Sequence, residues 1–301
     1  MHPVKAALSV LVAIFAAGTG ALAQDTQDAV RETPSDPLAA GRLVAAIGGC
    51  ANCHTAKEGA PLAGGDPIHS PFGTFYPPNI TPDPATGIGG WSDEEFITAM
   101  REGISPGGDP YYPAFPYTSY THMNDEDLLE LKVWLDSVEP VEQASPAHVL
   151  RMPVWPHLEA PFDVRFALWG WRWLFFEPAR FEPDPAKSKE WNRGAYLVEG
   201  PGHCAQCHTP RNIFGALDHD RAYSGSATGP DGEKIPDITQ GPDGIGDWSQ
   251  QDLTFFFKIG MMPDGDFVGS EMAKVVNEGT AKLSDADRAA IAAYLMDLPV
   301  D

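Results

Sequence analysis

The motif Cys-x-x-Cys-His occurs twice, as "CANCH" at residues 50–54 and "CAQCH" at residues 204–208, and the 301-residue chain has no other cysteine. Two thiols a helical turn apart with an imidazole directly behind them are the pattern for covalent attachment of c-type haem. The thiols add to the two vinyl groups of the porphyrin, and the adjoining imidazole falls under the iron. Cys50, Cys53, Cys204 and Cys207 are therefore expected as thioether anchors, and His54 and His208 as iron ligands, so that the chain holds two covalently bound haem c groups. Two rivals share the motif. A zinc site would bring both cysteine pairs together in one small module, whereas here each pair sits in its own stretch of repeated sequence. A redox dithiol would sit in a βαβ setting, and no such pattern surrounds either motif.

The repetition extends beyond the motifs. "GRLVAAIGGCANCHTA" (41–56) matches "GAYLVEGPGHCAQCHTP" (194–210), "ATGIGGWSDEEF" (85–96) matches "PDGIGDWSQQDL" (242–253), and "THMNDEDLLELKVWLDSVEPV" (121–141) matches "AKLSDADRAAIAAYLMDLPV" (281–300). Three blocks recurring in one order mark a duplicated unit. Each unit reads as three helices. One runs into the cysteines, over 38–47 and 192–199. A second opens in the first unit at Ser92, a capping box with Glu95, and stops at Gly103. A third opens at Asn124 or Ser284 on an acidic first turn that suits the helix dipole. Leu128, Leu131, Leu135 and Val138 share a face, as do Ile291, Tyr294, Leu295 and Leu298. No β-alternation of any length competes. The expected fold is all-α, two tandem cytochrome c-type haem domains, rich in loops because the chain carries 30 Gly and 29 Pro. The expected division is a leader over 1–23, a first domain over 24–140, an aromatic-rich connector over 141–190 and a second domain over 191–301.

The sixth iron position decides what such a domain does, since a Met sulfur raises the potential for electron transfer while an open site binds small molecules. In the second unit Met272 lies in a loop ahead of the last helix and is the expected distal ligand. Met261 and Met262 follow the stop at Gly260 directly and are expected to pack. The same count from Gly103 reaches Phe115, which cannot ligate. Met123 is the expected donor in the first unit, with His122, an open iron and Met100 inside the capped helix as competitors. Met123 aligns with Leu283, so a core role competes as well.

Charge and targeting narrow the setting. With 42 acidic against 20 basic residues the net charge is −22, which excludes nucleic acid as a partner because a binder must neutralise phosphates. Lys5 followed by the apolar run Ala6–Ala17 and "ALAQ" reads as a secretory signal cut after Ala23, placing the mature chain in the periplasm. The connector packs Trp155, Trp169, Trp171, Trp173, Phe175 and Phe176 close together, with Arg165, Arg172 and Arg180 among them. Such a stretch either bridges the two units or docks on a partner protein or, over residues 155–176, on a membrane surface. The three arginines suit haem propionates or acidic headgroups.

"PFGTFYPPNITPDPATGIGG", "YPAFPYTSYTHMNDED" and "GHCAQCHTPRN" together resemble the multihaem cytochrome c subunits of periplasmic alcohol and sugar dehydrogenases. The resemblance covers nearly all of 38–140 and 191–300. It implies the roles given above for Cys50, Cys53, His54, Cys204, Cys207, His208 and Met272. It also implies that the chain takes single electrons from a partner dehydrogenase and passes them to another cytochrome or a quinone-linked acceptor, as an electron-transfer subunit rather than the catalytic chain. Those subunits usually carry three haem units and commonly read Met where this chain reads Phe115. The competing reading is a dihaem enzyme, a peroxidase or an oxidase of a small inorganic substrate, working at an open first haem.

Overall fold

Six of the helices start where a side chain satisfies an orphan amide. The structure, a computed structural model, describes residues 36–152, 155–159, 165–229 and 232–299; the leader expected over 1–23 lies outside them. Asp36 accepts from the Leu38 amide at 3.1 Å and opens α1 (Pro37–Ile47), while Cys50–His54 form the short α2. Ser92 and Glu95 close a full capping box on α3 (Asp93–Glu102), which ends at Gly103 with φ 60. A single turn, α4 (Tyr117–Tyr120), precedes α5 (Asp125–Asp136), capped by Asn124. After the connector helix α6 (Arg165–Phe175), the plan repeats. Ser188 caps α7 (Lys189–Glu199), and α8 is Ala205–His208. A Ser249–Asp252 capping box opens α9 (Gln250–Ile259), which stops at Gly260 with φ 76. Ser270–Lys274 form α10, and Ser284 caps α11 (Asp285–Leu295). Removing the Ser249 hydroxyl (Ser249→Ala) is expected to cost about 1 kcal/mol. Chemical denaturation should show this as a lower midpoint at unchanged slope.

First and last helices of each half cross at a glycine. A Cβ on Gly41 would lie 2.0 Å from the Glu130 carbonyl oxygen, and one on Gly194 would lie 1.9 Å from that of Ala290. The close approach lets the apolar stripes meet. Val44, Phe96, Leu128, Leu131 and Leu135 fill the first core, and Leu197, Phe256, Phe257, Ile291 and Leu295 the second. Ile47 belongs to the second core although it ends α1. The backbone of α1 continues this contact, since a Cβ on Gly279 would lie 3.0 Å from the Ala46 carbonyl oxygen.

The all-α expectation needs correction. The protein is helix-rich, but a four-stranded antiparallel sheet runs in chain order: β1 (Ile68–Ser70), β2 (Gly73–Phe75), β3 (Val149–Met152) and β4 (Trp155–Glu159). Strands of three to five residues show no period that a sequence pattern can register. Gly73 makes the pairing possible. Its φ is 135, and a Cβ there would meet the Val149 carbonyl oxygen at 2.2 Å.

The sheet and α6 bind the connector to the first half. Leu168 is buried with Phe75 and Tyr112. The three arginines are held by protein: Arg165 lies over the Tyr112 ring at 5.6 Å, Arg172 pairs with Glu102 at 3.6 Å, and Arg180 pairs with Asp125 at 3.2 Å. The connector also reaches the second half, where Phe175 stacks on Phe214 at 5.7 Å and Trp171 Nε1 donates to the Phe214 carbonyl at 3.0 Å. Of the connector aromatics, Trp171 and Phe175 take the expected bridging place. Another face of α6 stays in solvent, with Phe166 72% and Trp173 84% exposed beside Trp169 and Leu174.

Candidate haem centres

Each motif is folded so that its three functional side chains share one side. Cys50, Cys53 and His54 occupy a single helical turn, and residues three and four apart on a helix are neighbours. The second motif repeats this with Cys204 as the residue capping α8. Both turns leave in extended conformation through a threonine whose hydroxyl is bonded to the loop beyond. Thr55 Oγ1 accepts from the Leu62 amide at 3.0 Å, and Thr209 Oγ1 from the Tyr223 amide at 3.0 Å.

The imidazoles are oriented from outside the motif. His54 Nδ1 lies 2.6 Å from the Pro78 carbonyl oxygen and His208 Nδ1 lies 2.9 Å from that of Pro236. A carbonyl only accepts, so Nδ1 carries the proton and Nε2 keeps its lone pair, the form a metal-binding histidine requires. Burial lowers both imidazole pKa values, which holds the rings neutral. These carbonyls were not anticipated from the sequence, yet a signal exists in "PNIT" (78–81) and "PDIT" (236–239). Asn79 Oδ1 accepts from the Thr81 amide at 2.9 Å and Asp237 Oδ1 from the Thr239 amide at 2.6 Å, fixing the turn behind each proline.

The surroundings favour the neutral thiol over the thiolate before attachment. Burial raises the pKa of Cys50 and of Cys204 to about 12. Cys53 is raised by burial first and then by the charge of Cys207 in the other motif. None of the four cysteines is paired in a disulfide. A thiolate-ligated metal or a reactive dithiol needs the opposite electrostatics. Among the described residues no three His, Cys, Asp or Glu side chains come together as such a metal site would require. Paired neutral thiols beside a tautomer-locked imidazole fit haem attachment.

After α3 and after α9 the chain makes the same kind of hairpin. Ile104 bridges Pro110 and Met261 bridges Phe267, each in antiparallel sense, and Gly108 and Gly265 turn with φ 86 and 88. The Tyr111 amide donates to the Gly103 carbonyl as the Val268 amide donates to that of Gly260. Phe115 and Met272 follow at equal distances along the chain, so the register puts phenylalanine where the second half has methionine. Met272 is half-buried against the second core, and it lies within α10 rather than in the expected loop. That turn begins at Gly269, whose extended φ of −111 gives the helix a start with no side-chain cap. Met262 packs on the same core, in line with its expected role. Met123 is 1% exposed in the first core and takes the place that Leu283 has in the second. The carbonyl of Met123 accepts from Arg101 and that of Leu283 from Arg288. His122 is half-buried, and burial lowers its pKa. Met100 is buried on α3.

Comparison with known proteins agrees with this chemistry. The cytochrome c family model matches residues 192–299. A dihaem c-type cytochrome of Cereibacter sphaeroides is 44% identical over 259 residues, 84% of this chain and 82% of that protein. One of the nicotinate dehydrogenase subunits of Pseudomonas putida is 40% identical over 298 residues, 96% of this chain but 24% of that protein. The cytochrome c subunit of the quinone alcohol dehydrogenase of Gluconacetobacter polyoxogenes is 40% identical over 271 residues, 86% of this chain and 55% of that protein. The chain thus spans about a quarter of the second of these relatives and about half of the third. These relatives are named as cytochromes or dehydrogenase subunits, which does not favour the dihaem-enzyme reading. The chain belongs to the c-type cytochromes, in the group of these dihaem cytochromes and dehydrogenase cytochrome subunits, whose cofactor is covalently bound haem c.

Proposed function

We propose that the chain is a dihaem electron relay, built of two tandem haem domains over 24–140 and 191–301, that takes single electrons from a partner dehydrogenase and hands them to another cytochrome or a quinone-linked acceptor. Bound haem supplies an iron that cycles between ferric and ferrous. Cys50 with Cys53, and Cys204 with Cys207, anchor the two groups, and His54 and His208 present Nε2 to the irons. Met272, packed on the second core, would offer its sulfur to the second iron. Met123, a thioether wholly buried in the core against which Cys50 packs, would offer its sulfur to the first. The observation that carries the reading is the pair of imidazoles, each locked through Nδ1 to a proline carbonyl behind two cysteines, on two turns joined by the His203–Gly48 hydrogen bond. The leader directs export, with cleavage after Ala23, and the mature chain works in the periplasm. Among the described residues no helix is long and apolar enough to cross a membrane. The exposed face Phe166, Trp169, Trp173 and Leu174 of α6 rests on the membrane surface.

Low-temperature EPR with near-infrared magnetic circular dichroism of the oxidised, haem-loaded protein tests this. Two low-spin His/Met signals are expected, one lost in Met272→Ala and the other in Met123→Ala, with a fall in the potential of the affected haem. A high-spin iron that Met123→Ala leaves untouched would refute the assignment in the first half and reopen that haem as a substrate site.

A further inference from the structure

The residue ahead of each first motif cysteine is left-handed. In the first half it is Gly49, with φ 57; in the second it is His203, with φ 39. Only glycine adopts this conformation without steric cost, and an outlier of this kind persists when its surroundings hold it there. His203 is held by the turn that leads into the other motif. Its Nε2 lies 3.1 Å from the carbonyl oxygen of Gly48, two residues before Cys50, and Tyr120 Oη donates to the same oxygen at 3.3 Å. The two rings meet edge to face at 5.6 Å and 78°. A second strap runs alongside: Gln206 Nε2, within the second motif, lies 2.9 Å from both Thr118 Oγ1 and Ser119 Oγ on α4. Gly48 is anchored in turn, its amide donating to the Val44 carbonyl at 2.9 Å.

We propose that His203 is a positioning residue that fixes the spacing of the two haem-attachment turns and so sets how fast an electron passes between the two haems. The proposal rests on the dihaem reading above. A residue needed only to complete the local fold would be better replaced by glycine, as the first half has it. Histidine at a strained position, with its side chain spent on the opposite motif, points to the junction instead. The exchange oxidises one iron as it reduces the other and needs no proton from His203.

The test uses full-length haem-loaded protein in three forms: unchanged, His203→Gly and His203→Asn. Asparagine tolerates the left-handed conformation and keeps a donor. Haem content per chain is measured first, then thermal stability, then electron exchange in the half-reduced protein by NMR exchange spectroscopy of the haem methyl resonances. His203→Gly is expected to keep two haems, both ligand signatures and at least its starting stability, while exchange slows several-fold; His203→Asn is expected to recover much of the rate. Unchanged exchange in His203→Gly overturns the proposal and leaves the dihaem relay standing. Should His203→Gly lose a haem, His203→Asn decides, since a rate matching the unchanged protein supports the junction and one as slow as a severed link refutes a role for the donor. A single haem in the unchanged protein refutes the dihaem reading itself.

Discussion

The double variant Cys204→Ala/Cys207→Ala is expected to carry one covalent haem in place of two and to lose the stability of its second half. Cys204 and Met272 both pack on the second core, which is also built from Tyr223, Leu253, Phe256 and Val276. A haem held between them would be part of that core, so its loss removes far more contact area than any single side chain. Large-to-small changes in a core already cost about 2–5 kcal/mol, and loss of a whole group should exceed this. The measurements are intact mass, a pyridine haemochrome count and a thermal scan, which should show an early transition absent from the parent protein. Cys50→Ala/Cys53→Ala should mirror the result in the first half. Two covalent haems surviving in either variant would exclude the attachment sites assigned here.

Gly194→Val is expected to be the most destabilising single substitution outside the motifs. The atom that a Cβ would strike is main-chain, the Ala290 carbonyl oxygen at 1.9 Å, so no side-chain rotation relieves it and α7 must move away from α11. Overpacking costs about 1–3 kcal/mol even where side chains can yield, and a backbone clash belongs at or above the top of that range. Gly41→Val at the matching crossing of α1 and α5 should behave alike. Equilibrium denaturation of the haem-loaded protein supplies the check. A loss below about 1 kcal/mol would mean that these helices do not cross at the glycines.

Local chemistry made much of the molecule legible. The cap positions Ser92, Asn124 and Ser284 and the stops at Gly103 and Gly260 lie where the structure has them, because a cap is satisfied by residues two or three away. The stripes led by Leu128 and Ile291 are buried because their spacing alone puts them on one face. The attachment motifs were equally plain, since thiol, thiol and imidazole act within a single turn.

What depended on distant partners was not legible. The sheet forms because β2 meets β3 across more than seventy residues of chain, and no three-residue strand announces such a pairing. Arg165, Arg172 and Arg180 read as free for propionates or headgroups, but tertiary packing spends them on Tyr112, Glu102 and Asp125. The carbonyls that set the two imidazole tautomers come from Pro78 and Pro236, well downstream of the motifs they serve. Nothing local distinguishes His203 in the sequence, and it becomes the link to Gly48 only once the halves are folded together. Sequence by itself determined which groups can react, because covalent spacing fixes them relative to each other. The tertiary structure alone decided how those groups are aimed and how near one motif stands to the other, since both depend on hydrogen bonds between segments that meet only in the folded chain.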